Sequence, residues 1–175
     1  MKQLLLSTLL FLSLAACRRE DEAAPLDRDQ TAALDNNRAE SFFNDALAQA
    51  DKANKDGELP CAVSITFDTT STPYSMLIDF GERNCTSDDG RTRRGRLLVS
   101  YTGPYRAPGT TITITPQDYY VNDHRLQGSK VVTNAGPNHQ RQTTFTVPVN
   151  GSVTAPDNSW TSTHSYQRTR TWVEG

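Results

Sequence analysis

From Cys61 onward, apolar side chains recur at every second position in one short stretch after another. A strand sends successive side chains to opposite faces, so this period of two commits most of the chain to sheet with one apolar and one polar face. Cys61, Val63, Ile65 and Phe67 share a face, as do Tyr74, Met76, Ile78 and Phe80, and the turn-forming residues 69–73 between them predict an antiparallel hairpin. A polar loop over residues 82–94 contains the turn Asp88-Asp89-Gly90, after which Leu97, Val99 and Tyr101 open a further strand. Residues 110–115 alternate Thr and Ile, Tyr119 leads to a reversal at Asn122-Asp123, residues 130–133 continue, and Phe145, Val147 and Val149 share one side of the next strand. Asn150-Gly151 carries the residue pair favoured in a type I′ turn, where both central residues need positive φ, and predicts a hairpin. The last strand, residues 159–173, separates Trp160, His164, Tyr166, Arg168, Arg170 and Trp172 from Thr and Ser.

Before this region the period is three to four. Leu34, Ala39, Phe42, Phe43, Ala46, Leu47, Ala50 and Ala53 fall on one face of a helix over about residues 35–54, with N-cap oxygens at Asp35, Asn36 and Asn37 and a stop at Asp56-Gly57. Glu40, Asp45, Gln49 and Asp51 form its polar face, and such an acidic face suits packing on a sheet better than lying on a bilayer. The expected fold is mainly β: one amphipathic helix, then roughly eight strands in an antiparallel meander, as an open barrel, a sandwich or a single curved sheet. Only 35% of the 175 residues are apolar, against roughly 45–50% in ordinary globular domains, which predicts a thin core under a sheet wetted on one side. The net charge of −2 gives no general attraction to nucleic acid.

The N-terminus specifies an address. Lys2 precedes an apolar run over residues 4–14, too short for a bilayer-spanning helix of about 20 residues but suited to a signal peptide. Leu14-Ala15-Ala16-Cys17 resembles the lipobox of bacterial lipoproteins, which implies removal of residues 1–16 and diacylation of Cys17. More than one acyl chain is what stable anchoring requires. Residues 17–33, beginning Arg18-Arg19-Glu20-Asp21-Glu22, read as lipid anchor and flexible tether, and residues 34–175 as the β-rich domain. The acidic residues so close to Cys17 resemble a surface-export signal of Bacteroidota lipoproteins, although two arginines come first.

From Cys61 to Gly175 the chain resembles a group of Bacteroidota lipoproteins that has no assigned activity. The resemblance is carried by Leu77-Ile78-Asp79-Phe80-Gly81, Asn84-Cys85, Asp89-Gly90-Arg91-Thr92-Arg93-Arg94-Gly95, Val99-Ser100-Tyr101-Thr102-Gly103-Pro104-Tyr105-Arg106, Tyr119-Tyr120-Val121-Asn122 and Arg168-Thr169-Arg170-Thr171-Trp172. It implies further strands past Gly175. The aromatic strand ending at Trp172 points the same way, since a bare edge of that kind invites aggregation, with a naturally ended edge strand as the alternative. It implies a cell-envelope location, with the outer membrane expected.

Cys61 and Cys85 remain after the lipobox, and an even pair in an exported protein reads as a disulfide; the alternatives are two free buried thiols or a metal site, for which no histidine lies nearby in sequence. Arg91, Arg93, Arg94 and Arg96 form a basic cluster that reads as a solvated strand start neutralised by Asp88 and Asp89, with an anion site as the alternative. Asp88-Asp89-Gly90 lacks the ordered oxygen ligands of a calcium loop and reads as a turn. His124, His139 and His164 show no zinc-ligand spacing, and no phosphate loop, dinucleotide fingerprint or nucleophile elbow is present, so no metal or cofactor is expected. Asp79, Asp118 and Asp123 are the main strand acids, with no sign of convergence towards sugar hydrolysis. Trp160, Tyr166 and Trp172, sharing a strand face with Arg168 and Arg170, are the candidate ligand-binding residues, since rings on a sheet can stack on sugars; cross-strand packing is the alternative. The chain therefore reads as a non-catalytic, lipid-anchored envelope protein. Its partners would be the membrane through Cys17 and either a glycan or another envelope protein, with no nucleic acid. A surface carbohydrate-binding protein and an envelope hydrolase are the alternatives.

Overall fold

The computed structural model describes residues 28–173. A helix, α1 (Arg28–Asp56), is followed by eight strands: β1 (Ser64–Asp68), β2 (Tyr74–Asp79), β3 (Cys85–Thr86), β4 (Thr92–Tyr101), β5 (Thr111–Val121), β6 (His124–Pro137), β7 (Thr143–Thr154) and β8 (Thr161–Thr171). All pair antiparallel in one sheet of order β1-β2-β4-β5-β6-β7-β8, with the short β3 paired to the start of β4. Among the described residues the meander is thus a single sheet, neither sandwich nor closed barrel, with β1 and β8 at its two ends. The helix touches β4, β5, β6, β7 and β8. Five strands at about 4.8 Å spacing are wider than one helix, so the sheet must curl around α1 to reach it from both sides.

The helix begins at Arg28, six residues before the expected domain boundary, so residues 28–33 belong to it rather than to a tether. Apolar periodicity understates its length because Leu34 is 60% exposed; among the side chains described, from residue 33 onward, the first buried one is Ala39. With no Gly or Pro among residues 28–56, the helix propagates past its buried portion in both directions. Ala39, Ala46, Ala50 and Ala53 let its backbone lie close to the sheet, while Phe42 and Phe43 fill the hollows between strands. Burying each ring contributes about 2–3 kcal/mol. Asp45, expected on the polar face, is buried against Arg93 of β4.

Strand alternation holds through Leu97, Val99 and Tyr101 of β4, Ile112 and Ile114 of β5, and Val147 and Val149 of β7, all buried. On the opposite face, hydroxyl pairs such as Thr111–Thr133 across β5 and β6 and Thr154–Thr161 across β7 and β8, both 3.0 Å, meet solvent. Three boundaries differ from the sequence expectation. The loop over 82–94 contains β3 and the start of β4. Residues 111–121 form one strand, interrupted by a bulge at which Asp118 takes φ 45° against Gly95 at φ 86°. A Cβ on Gly95 would lie 1.8 Å from the Asp118 carbonyl oxygen, so only glycine admits this crossing.

The third difference is Asn150-Gly151, which makes no hairpin. Both residues lie inside β7, paired to Ser129 and Gly128 on one side and to Ser165 and His164 on the other. Gly151 is required for proximity: a Cβ there would stand 2.5 Å from a Phe43 ring carbon and 2.3 Å from the Gln127 carbonyl oxygen. The type I′ reversal is Asn122-Asp123, with φ of 48° and 61°.

Cys61 and Cys85 form a disulfide with Cα atoms 5.6 Å apart, joining the segment before β1 to β3. It closes a 24-residue separation. Loop-closure entropy gives it a worth of about 3.5 kcal/mol. A Cys61→Ser/Cys85→Ser pair is accordingly expected to lose about that amount in urea unfolding. An unchanged midpoint would mean that the bond does not constrain the unfolded chain.

Candidate ligand groove between the helix and the edge strand

The basic cluster of β4 divides by strand face. Arg94 and Arg96 sit on the outer side, Arg94 over the Tyr120 ring and bonded to Asn84 and Asp123. Arg93 is not solvated as expected: it is 0% exposed. Its guanidinium grips two carboxylates, Asp45 of α1 through Nε (3.1 Å) and Nη2, and Asp89 through Nη1 (3.1 Å) and Nη2. Arg91 adds a hydrogen bond to Ser41 Oγ at 2.9 Å and stands 3.4 Å from Asp45. This network, rather than a solvated charge run, fixes one flank of α1 to β4, and it explains why an acid lies on the buried side of the helix. Asp89 is thereby committed to Arg93, consistent with the turn reading of Asp88-Asp89-Gly90.

The other flank of α1 faces β8. Trp160, Tyr166, Arg168, Arg170 and Trp172 do share one strand face, and that face points at the helix. Trp160, just before β8, is half-buried beside His124 (ring centroids 5.8 Å) with Arg38 over it at 5.6 Å. Tyr166 packs against the core, with Arg168 5.1 Å from its ring. Arg168 donates to Glu40 of α1 at 2.6 Å, and Arg170 reaches the same carboxylate at 3.5 Å. Trp172 is 64% exposed. Twelve residues of extended chain put Trp160 about 40 Å from Trp172, so the aromatic rings do not make one platform.

Between the second half of α1 and the end of β8 lies a half-open cavity of about 460 Å³. Val132, Phe145 and Val147 of β6 and β7 form an apolar floor, Leu47 and Ala48 one wall, and Trp172 the outer lip. Asn44, Asp51, Arg106 and Arg170 supply the polar rim. Asp51 is already engaged by Arg106 and by the Tyr105 hydroxyl at 3.0 Å. Asn44 Oδ1 accepts from Arg170 Nη2 at 3.3 Å and from Lys130 Nζ at 2.6 Å. Lys130 is 1% exposed, with that amide oxygen as the one hydrogen-bond partner found for its ammonium among the described residues.

Burial pushes the Lys130 ammonium from its ordinary 10.5 down to about 8; Arg170 and Arg168 act in the same direction, while Glu40 and Asp51 oppose. A buried cation with one neutral partner costs stability. Lys130→Met, of similar length and without the charge, is therefore expected to stabilise the fold by about 2 kcal/mol near neutral pH. In the wild type, between about pH 8 and 10.5 the unfolded chain holds a proton that the folded one has released, so stability should rise across that window. Urea midpoints at pH 7 and pH 10 check both statements; a less stable methionine variant would mean that Lys130 is a net anchor of α1.

Asp79 and Asp118 border a separate open hollow of about 420 Å³ over the double bulge. There Asp118 pairs with Arg125 at 2.8 Å and Asp79 accepts from the Gly81 amide at 2.7 Å. Among the described residues no group of three His, Cys, Asp or Glu side chains is placed to hold a metal ion. Cys17 lies outside the described residues. The residues missed from sequence are Lys130, Asn44, Phe145 and Arg106. One signal was present: Lys130 shares the inward phase of Leu126 and Val132, where a sheet strand should be apolar. No family profile matches the chain, and no curated protein or solved structure matches it.

Proposed function

We propose that this chain is a non-catalytic binding protein of the cell envelope, tethered through acyl chains on Cys17, and that the groove between α1 and β8 takes its ligand. The observation that carries the reading is the combination in one cavity of an apolar floor, from Val132, Phe145 and Val147, with Arg170 at a rim whose Asn44 amide also holds the buried Lys130 behind it. Pockets built of apolar walls and a few converging polar groups are how small ligands are held. The lipobox resemblance at residues 14–17 supports the anchor. Mass spectrometry tests it: native protein should begin at Cys17 and carry acyl mass, and Cys17→Ala should carry none. Lipid-free native protein beginning at Met1 would remove the envelope assignment.

The groove is tested by Trp172 emission in a Trp160→Phe background, against soluble oligosaccharides and short amphiphiles. Silence towards every probe would remove the groove as a binding site. Glycan binding is a second reading, favoured by the exposed Trp172 indole next to Arg170, a ring face and a hydrogen-bond donor at one end of the cavity. A glycan-array response abolished by Trp172→Ala would select it.

A further inference from the structure

We infer that the groove seats an anionic amphiphile, its carboxylate or phosphate head at Lys130 and Arg170 and its apolar tail over Val132, Phe145 and Val147; this rests on the reading of the groove as a ligand site. The charge distribution points to an anion. Lys130 and Arg170, which repel one another, are brought together on the single neutral oxygen of Asn44. The nearest carboxylate, Glu40, is shared between Arg168 at 2.6 Å and Arg170 at 3.5 Å. Asp51 is taken by Arg106 and Tyr105. Three cations therefore face one available carboxylate, and one of the three is withdrawn from water. An ammonium has three protons to donate, and Asn44 accepts one. Arg170 lines the cavity, whereas Lys130 stands behind the Asn44 amide and outside the lining, so an oxyanion that displaced the Asn44 oxygen would meet both cations through charge-assisted bonds. A head without a tail would leave the apolar floor wet, and a tail without a head would leave the cations unpaired.

The groups facing Lys130 are Glu40, Asn44 and Asp51 from α1 and Arg168 and Arg170 from β8, while its strand partners Ile114 and Val149 carry no charge. Head-group binding should thus hold through neutral pH and weaken as pH rises past about 8, where Lys130 releases its proton.

The test uses the full lipidated chain in neutral nanodiscs, with empty discs setting the partition background. The probes are octanoate, octyl phosphate, octanol and inorganic phosphate, read by Trp172 emission in the Trp160→Phe background. Octanoate or octyl phosphate should bind at least tenfold more tightly than octanol or phosphate alone, and the better of the two identifies a fatty-acid or a phosphate-ester ligand. Lys130→Met and Arg170→Gln should each weaken that binding at least tenfold while leaving the circular dichroism spectrum unchanged. Arg170 is half-exposed, so its variant keeps the test valid whatever Lys130 contributes to folding. Octanol binding as tightly as octanoate, or either variant binding like wild type, overturns the inference and leaves the groove a ligand site of another kind. No response to any of these probes or to oligosaccharides removes both.

Discussion

Replacing Arg93 with methionine is expected to destabilise the protein by about 3–5 kcal/mol, the cost of breaking a buried ion pair from one side. The guanidinium is shielded from solvent and its Nε, Nη1 and Nη2 all bond to carboxylate oxygens. Without it, Asp45 stays buried with only the Tyr119 hydroxyl at 3.4 Å and Arg91 at 3.4 Å for company. A second variant separates lost attraction from stranded charge. Arg93→Met combined with Asp45→Leu should recover much of the loss, because replacing both partners by apolar groups removes the uncompensated carboxylate. A double variant as unstable as the single one would mean that the network contributes through geometry rather than charge. The same site leaves a trace in acid. The hydrogen bond from Arg93 outweighs burial and holds Asp89 at about 2 rather than the ordinary 3.8. Its contribution is therefore complete above about pH 4 and lost as pH falls towards 2, a dependence that should vanish in Asp89→Asn.

Gly151→Val should be comparably damaging, about 4 kcal/mol, at the upper end of overpacking effects. The new Cβ alone would overlap the Phe43 ring and the Gln127 carbonyl, one on α1 and one on β6, and the valine methyls need still more room. Neither neighbour can yield freely: Phe43 is buried under the sheet and Gln127 is pinned in the β6–β7 ladder. Asn150→Thr, one residue away in the same ladder, should change stability by no more than about 0.5 kcal/mol, as substitutions away from packed sites do. If residues 150 and 151 formed a turn, both substitutions would be costly, so the contrast between them reports on the strand geometry directly.

Gly151 also shows where sequence reading reaches its limit. Local pattern identifies a strand wherever the inward positions are apolar, and Met76, Ile78, Leu97, Val99, Ile112, Ile114, Val147 and Val149 were all legible on that basis. It fails where an inward position is filled by something else: the ion pair of Arg93, the cation of Lys130, the missing side chain of Gly151. Each depends on α1, whose contact with them was invisible along the chain; Lys130 and Asn44 are 86 residues apart. Asp118 hid the continuity of β5 for a related reason, since its bulge shifts the period by one across from Gly95. The shared face of β8 was read from alternation alone. That α1 rests on it, turning Arg168 and Arg170 into helix contacts and leaving Trp172 at a cavity mouth, was not.

The two flanks of α1 are held by unequal means. On the β4 side the attachment is a buried bidentate pair between Arg93 and Asp45; on the β8 side it is Arg168 and Arg170 reaching Glu40 through water-exposed groups. Exposed pairs of that sort are worth little and weaken in salt. The helix is thus hung like a door, hinged on β4 and merely latched at β8, and a modest gain in ionic strength should slacken the latch long before the hinge.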